Sequence, residues 1–321
     1  VSLTRRRLLG TAAAALALPA AALPNAALAQ DPLSVIATTG MIGDAAATVG
    51  GDAVSASSLM GPGVDPHSYR ATRSDIVSVG RAELVLVHGL YLEAQMEAFF
   101  EDISRRTPLT RVGEAIPPEM LLAHETYADK YDPHVWMAPG LWQIPIAAVA
   151  DAIAAARPEA AEGVAARAEA YIAEAQALDA YGAEVMATIP ADRRVLVTAH
   201  DAFRYFGRAY GMEVQGIQGI STESEAGLAR ISDLVDLLVE RQIGAVFVES
   251  SVSDRNIRAL IEGAASRGHE VVIGGELYSD AMGAEGTYEG TWLGMIDHNI
   301  TTIARALGGA APEGGRLGRL S

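Results

Sequence analysis

One run limits the fold more than any other: "PEAAEGVAARAEAYIAEAQALDAYGAEVMATI", residues 158–189. Val164, Ala168, Tyr171, Ala175, Leu178, Gly182, Val185 and Ile189 recur at three- and four-residue steps, which places them on one face of a single helix. Pro158 suits a first helical turn, and Pro190 ends the pattern. About thirty residues rising 1.5 Å each span roughly 45 Å, enough to cross a two-lobed molecule. The run therefore reads as a strut, stiff enough to permit only small movements of one lobe against the other.

What flanks the strut is the same pattern twice. Before it, "LSVIATT" (33–39), "VSASSLM" (54–60), "LVLVHG" (84–89) and "LTRVG" (109–113) read as strands. Helical stretches lie between them, such as Thr72 to Arg81 and Tyr91 to Ser104. After it come "RVLVTA" (194–199), "EVQGIQ" (213–218), "GAVFVES" (244–250) and "EVVIGG" (270–275). Strands alternating with helices indicate βαβ units with mostly parallel sheets. The expected class is α/β, two βαβ-type lobes joined by one long helix: an N-terminal lobe over 30–157, the linking helix over 158–190 and a C-terminal lobe over 191–321.

The first 29 residues are different. Three arginines, Arg5 to Arg7, precede an apolar stretch that ends in the small-residue signature Ala27-Leu28-Ala29. This predicts an export signal over 1–29, cleaved near Ala29/Gln30, with a product in the periplasm. The Arg5-Arg6-Arg7-Leu8-Leu9 segment also resembles a twin-arginine signal. The sequence contains no cysteine, so neither a disulfide nor a lipid-modified cysteine is expected, and no other apolar run is read as long enough to cross a bilayer. Losing the three arginines moves the formal net charge from −16 to −19, which disfavours nucleic acid and mildly concentrates cations.

Against that background two hexapeptides stand out, "VDPHSY" (64–69) and "YDPHVW" (131–136). Proline holds its own φ and pushes the residue before it into extended geometry, so His67 and His134 sit on turns with little conformational freedom left to lose. His200 ends "RVLVTAH" at the carboxyl end of a strand, and Asp280 in "GGELYSD" follows another strand. Ligands of open α/β sheets bind at that end of the strands. Two groups from each lobe can thus meet in the cleft. Three imidazoles and a carboxylate are a credible shell for a divalent transition metal. Taken alone, His200 has a plain helix-cap histidine as its alternative reading, the weaker of the two. Asp65, Asp132 and Glu249 are candidates to take the outer N–H of these rings, which fixes tautomer and ring plane; the two aspartates can instead simply close turns on their own backbone. His88, His124, His269 and His298 have no second ligand at close spacing and read as core, loop, turn and helix residues.

The segments "DPHVWMAPGLW", "RRVLVTAHDAFRYFGRAYG", "AVFVESSVSDRNI" and "GGELYSDAMG" resemble the solute-binding receptors of manganese and zinc ABC transporters, the cluster A-I or TroA-like family. The resemblance covers nearly the whole chain after the leader. It implies two α/β lobes joined by one long helix, with His67, His134, His200 and Asp280 as ligands. Members differ at the third ligand, Glu in several manganese receptors and His in others; here it is His200. The implied function is capture of zinc or manganese as the transported ligand and delivery to the membrane permease subunits of an importer, with no enzymatic activity. A monomer without a membrane anchor is expected. Three nitrogens favour zinc, whereas the loop before His134 offers only His124, Glu125, Asp129 and Asp132 in place of the long His-rich insert of many zinc receptors. Two other classes remain open: a zinc hydrolase with a three-histidine site and Asp280 as its base, and a receptor for an organic or chelated-metal solute. The latter would need a roomy cleft, and aromatics are only 6% of the chain.

Overall fold

A computed structural model describes residues 31–321, of which residues 32–321 form one compact unit; the expected export signal lies outside the described residues. Strand β1 (Leu33–Ala37) is a buried apolar run, as befits a strand covered on both faces. Helix α1 (Gly40–Gly50) returns the chain to β2 (Val54–Ser58), which pairs with β1 in parallel. The short α2 (Arg73–Val79) opens on a capping box between Thr72 and Asp75 and leads to β3 (Leu84–Val87) on the other side of β1. Helix α3 (Glu97–Ile103) then brings β4 (Leu109–Arg111) alongside β3. The order β2-β1-β3-β4 reverses direction at β1. That reversal opens a crevice at the carboxyl ends of the strands.

Helix α4 (Pro139–Ala156) precedes the long helix α5 (Ala161–Ala187). Beyond it β5 (Val195–Thr198) pairs with β6 (Glu213–Gly216) across α6 (Arg204–Tyr210). After α7 (Leu228–Glu240), β7 (Ala245–Glu249) pairs with β8 (Val272–Leu277) across α8 (Arg255–Ser266), and α9 (Trp292–Ala306) follows. All these ladders are parallel. The eight expected strands are all present, trimmed or shifted by a few residues at their ends.

The long helix follows the sequence pattern closely. Every residue of the predicted stripe from Val164 to Val185 is buried, as is Ile189 beyond the helix end. Arg194 donates from its guanidinium to the open carbonyl of Ala187, the last helical residue, and to that of Ile189 just beyond it. Arg167 on α5 donates in the same way to the carbonyls of Val49 and Gly50 at the end of α1. The helix is not a bare strut, however. It packs along α4, α1, α9 and α6, and one continuous apolar core runs from β1 through α5 to α9. Truncating a residue such as Leu178 there would cost about 2–5 kcal/mol.

Two expectations need correcting. The stretch from Tyr91 to Ser104 is not one helix: Leu90 and Tyr91 have positive φ, and regular α-helix begins only at Glu97. Gly89, Leu90 and Tyr91 form a tight left-handed run because the buried Glu93 carboxylate accepts from the backbone N–H groups of His88 and Gly89, pulling the chain back on itself. Further, α4 is by length and composition apolar enough to cross a membrane. Its apolar character reflects packing instead: Leu141, Trp142, Ile146, Val149 and Ile153 are all buried, in contact with α5 and α1.

Candidate metal centre

The two Asp-Pro-His turns, the end of β5 and the segment after β8 converge. His67, His134, His200 and Asp280 are all buried, and one ligand atom from each lies within 4.8 Å of the others. The Nε2 atoms of His67 and His134 are 3.2 Å apart. Asp280 turns Oδ2 to His200 Nε2 at 3.1 Å and to His67 Nε2 at 3.8 Å, and Oδ1 to His134 Nε2 at 3.4 Å. Donors placed about 2.1 Å from a common centre in a tetrahedron are separated by about 3.4 Å. The observed spacings bracket that value. The four residues could together hold a metal ion.

The outer nitrogens explain why the inner ones point inward. His134 Nδ1 donates to Asp132 Oδ1 at 2.7 Å, and His200 Nδ1 donates to Glu249 Oε2 at 2.5 Å. Each pairing leaves the Nε2 lone pair of the neutral ring facing the centre. The same carboxylates also fix the backbone, since His134 N–H donates to Asp132 Oδ1 and His200 N–H to Glu249 Oε1. Asp65 behaves differently. It accepts the His67 backbone N–H at 2.9 Å, while its second oxygen accepts from Ser68 Oγ and from Thr222 Oγ1. It closes a turn and ties it to Thr222, far along the chain, without touching the ring.

Among the described residues, three buried atoms at the centre, His200 Nε2 and both oxygens of Asp280, have no hydrogen-bond partner. Native proteins rarely bury such groups without something to satisfy them. The charges carry the same signature. Burial drives His67 down to about 3 despite the opposing pull of Asp280. Burial also disfavours charge on His134, but the Asp132 carboxylate and then Asp280 outweigh it and raise the ring to about 9. His200 is raised because Asp280 and Glu249 outweigh its burial, and Asp280 is held well below the carboxylate range because the imidazoles outweigh its own.

The profile of the Zinc-uptake complex component A periplasmic (ZnuA) family matches residues 35–306. The chain belongs to this family. It is 46% identical over 279 residues to the "Manganese-binding lipoprotein MntA" of Bacillus subtilis, covering 87% of this chain and 91% of that one. To the "Zinc-binding protein TroA" of Treponema pallidum it is 44% identical over 283 residues, covering 88% and 91%. The solved structure of the periplasmic zinc-binding protein TroA from Treponema pallidum superposes with a TM-score of 0.84, covering 86% of this chain and 99% of that one. The expected resemblance is thus borne out, and so is the fold class.

Several supports of the ZnuA-family site escaped the sequence reading. His88 is buried, and its Nε2 donates to the carbonyl of Pro133, bracing the His134 turn from behind. Tyr205 donates its hydroxyl to the Asp132 carbonyl and accepts the Leu122 N–H. Arg204 lies 3.6 Å from Asp132 Oδ2. Both follow His200 in "AHDAFRYFG", a segment dense in family resemblance, and that was their only signal. The remaining histidines are engaged elsewhere: His124 borders the same cavity as His67, but its Nδ1 accepts from the backbone of Thr126 and Tyr127, while His269 donates to the Ile243 carbonyl and His298 to that of Glu276.

Proposed function

We propose that this chain captures a divalent transition metal, zinc or manganese, on His67, His134, His200 and Asp280 and delivers it to the permease subunits of an ABC importer. The observation that carries the reading is the set of buried, partnerless acceptor atoms converging at metal-ligand spacing. The manganese- and zinc-binding names of two relatives support it. In this reading residues 1–29 are a cleaved export signal, residues 30–157 and 191–321 are the two lobes, 158–190 links them, and the protein works in the periplasm as a monomer. Asp132 and Glu249 hold the rings, and Asp65 holds the turn beneath His67.

Asp280 faces the imidazoles with both oxygens, which suits a bidentate ligand and a five-donor set that either metal can occupy. That position also argues against Asp280 as the base of a hydrolase, since a base would stand beyond the metal and face a water. The cavity that borders His67 holds about 60 Å³. Sites for organic ligands run to about 300–1,000 Å³, so a cavity this small favours a bare ion over an organic solute. The test is to strip the purified protein of metal, then compete zinc against manganese at equal concentration and measure what is retained. One equivalent bound, lost when the three histidines are replaced, supports the reading. Retention unchanged in that variant overturns it.

A further inference from the structure

The ligands come from chain segments on either side of the long helix, yet a set of buried hydrogen bonds ties those segments together beside the metal centre. Trp136, two residues past His134, donates its indole N–H to the carbonyl of Ser279 at 2.8 Å. Ser279 immediately precedes Asp280 and is buried. The Trp136 ring also stands edge-on to the His134 ring, 5.2 Å between centroids. On the far side Trp292 donates its indole N–H to the Trp136 carbonyl at 3.0 Å. Trp292 is itself fixed: its backbone N–H donates to Asp44 Oδ2 on α1, and the same oxygen accepts from Tyr171 on α5.

We propose that Trp136 is a positioning residue that sets the spacing of His134 and Asp280, and that Trp292 holds Trp136 in register. The proposal rests on the metal-capture reading and adds what limits release. For the ion to leave, the imidazoles and the carboxylate must move apart. With Trp136 in place, any displacement of the His134 turn drags the Ser279–Asp280 peptide with it. Separation therefore requires breaking the indole-to-carbonyl bond inside the core, where no water replaces it. This clasp lengthens the dwell time of the metal and holds both Asp280 oxygens toward the rings.

The fold supplies its own control. Trp142 is equally buried and stacks near His88, but its indole N–H has no hydrogen-bond partner among the described residues. Phenylalanine at 136, 142 or 292 keeps an aromatic ring and removes one indole N–H. Only at 136 and 292 does that N–H belong to the clasp.

The experiment loads the full chain and the Trp136→Phe, Trp292→Phe and Trp142→Phe variants with Co²⁺, records the d–d absorption, then follows loss of cobalt to excess chelator by stopped flow. Trp136→Phe and Trp292→Phe should release cobalt about two- to tenfold faster than wild type, with shifted d–d bands; Trp142→Phe should match wild type in both. Wild-type rates and spectra in the first two variants would overturn the clasp. So would an equal change in Trp142→Phe, which would make ring packing the cause. Should Trp136→Phe fail to fold, Trp292→Phe decides alone. A wild-type chain that takes up no cobalt would overturn the metal reading, and the clasp with it, before any variant is compared.

Discussion

The tripeptide Asp-Pro-His occurs twice, and in both copies the aspartate accepts the backbone N–H of the histidine two residues on. Beyond that shared turn the copies diverge. Asp132 also accepts a hydrogen bond from the ring N–H of His134, and His134 is raised to about 9 because this partner and Asp280 outweigh burial. Asp65 spends its second oxygen on Ser68 and Thr222, so His67 has no such carboxylate and burial drops it to about 3. Local sequence sets the turn; what the carboxylate does next depends on what the rest of the chain brings to it. One turn holds a ring, and the other joins two parts of the molecule.

This contrast can be broken most forcefully at the proposed ligands. His134→Ala and His67→Ala should each lower metal affinity by more than the roughly hundredfold ceiling typical of outer partners, measured by competition against a chelator of known strength. A loss confined to one of them would end the equivalence of the two turns as ligand carriers. Next come the aspartates. Asp132→Asn should lower affinity about 10- to 100-fold because the ring loses its acceptor, whereas Asp65→Asn should cost less than about tenfold because the ring is untouched. Equal losses would erase the distinction drawn here.

Proton linkage gives a third comparison. With His134 near 9 in the metal-free protein, a proton must leave at pH 7 before the metal is bound. Affinity should rise roughly tenfold per pH unit for each displaced proton up to about pH 9, and calorimetry in buffers of different ionisation enthalpy should detect at least one proton released. His67, already neutral above about 3, contributes nothing over that range. The fold responds with the opposite sign. A raised histidine stabilises the metal-free protein fully below its ordinary value of 6.5, and that contribution is lost as pH climbs through about 9. Asp132→Asn should flatten both slopes. The smallest effect is expected at Thr222→Val, which removes one hydrogen bond to Asp65 and should speed metal release only about two- to tenfold, with the equilibrium geometry kept.

Much of this was readable in advance where one physical pattern dominated. The α5 stripe was legible because a three-and-four periodicity sustained over eight positions has no other reading, and the strands because apolar runs alternate with helices. The four central residues were legible through the stiffened Asp-Pro turns and the strand ends. Helix α1 was harder, since "GMIGDAAATVG" begins and ends with glycine and buries nearly all of its residues. Glu249 was placed by its strand end, but Arg204, Tyr205 and His88 act through tertiary contacts that no local pattern encodes. The left-handed turn at Leu90 and Tyr91 was missed for the same reason, because the buried Glu93 that pulls it closed carries no local signal.

The most direct test of the account is anomalous diffraction from crystals of the zinc- or manganese-loaded protein. The account predicts one strong peak about 2.0–2.3 Å from the Nε2 atoms of His67, His134 and His200, with the Asp280 carboxylate completing the shell. A peak held by other residues, or these three rings turned away from a metal bound elsewhere, would contradict it.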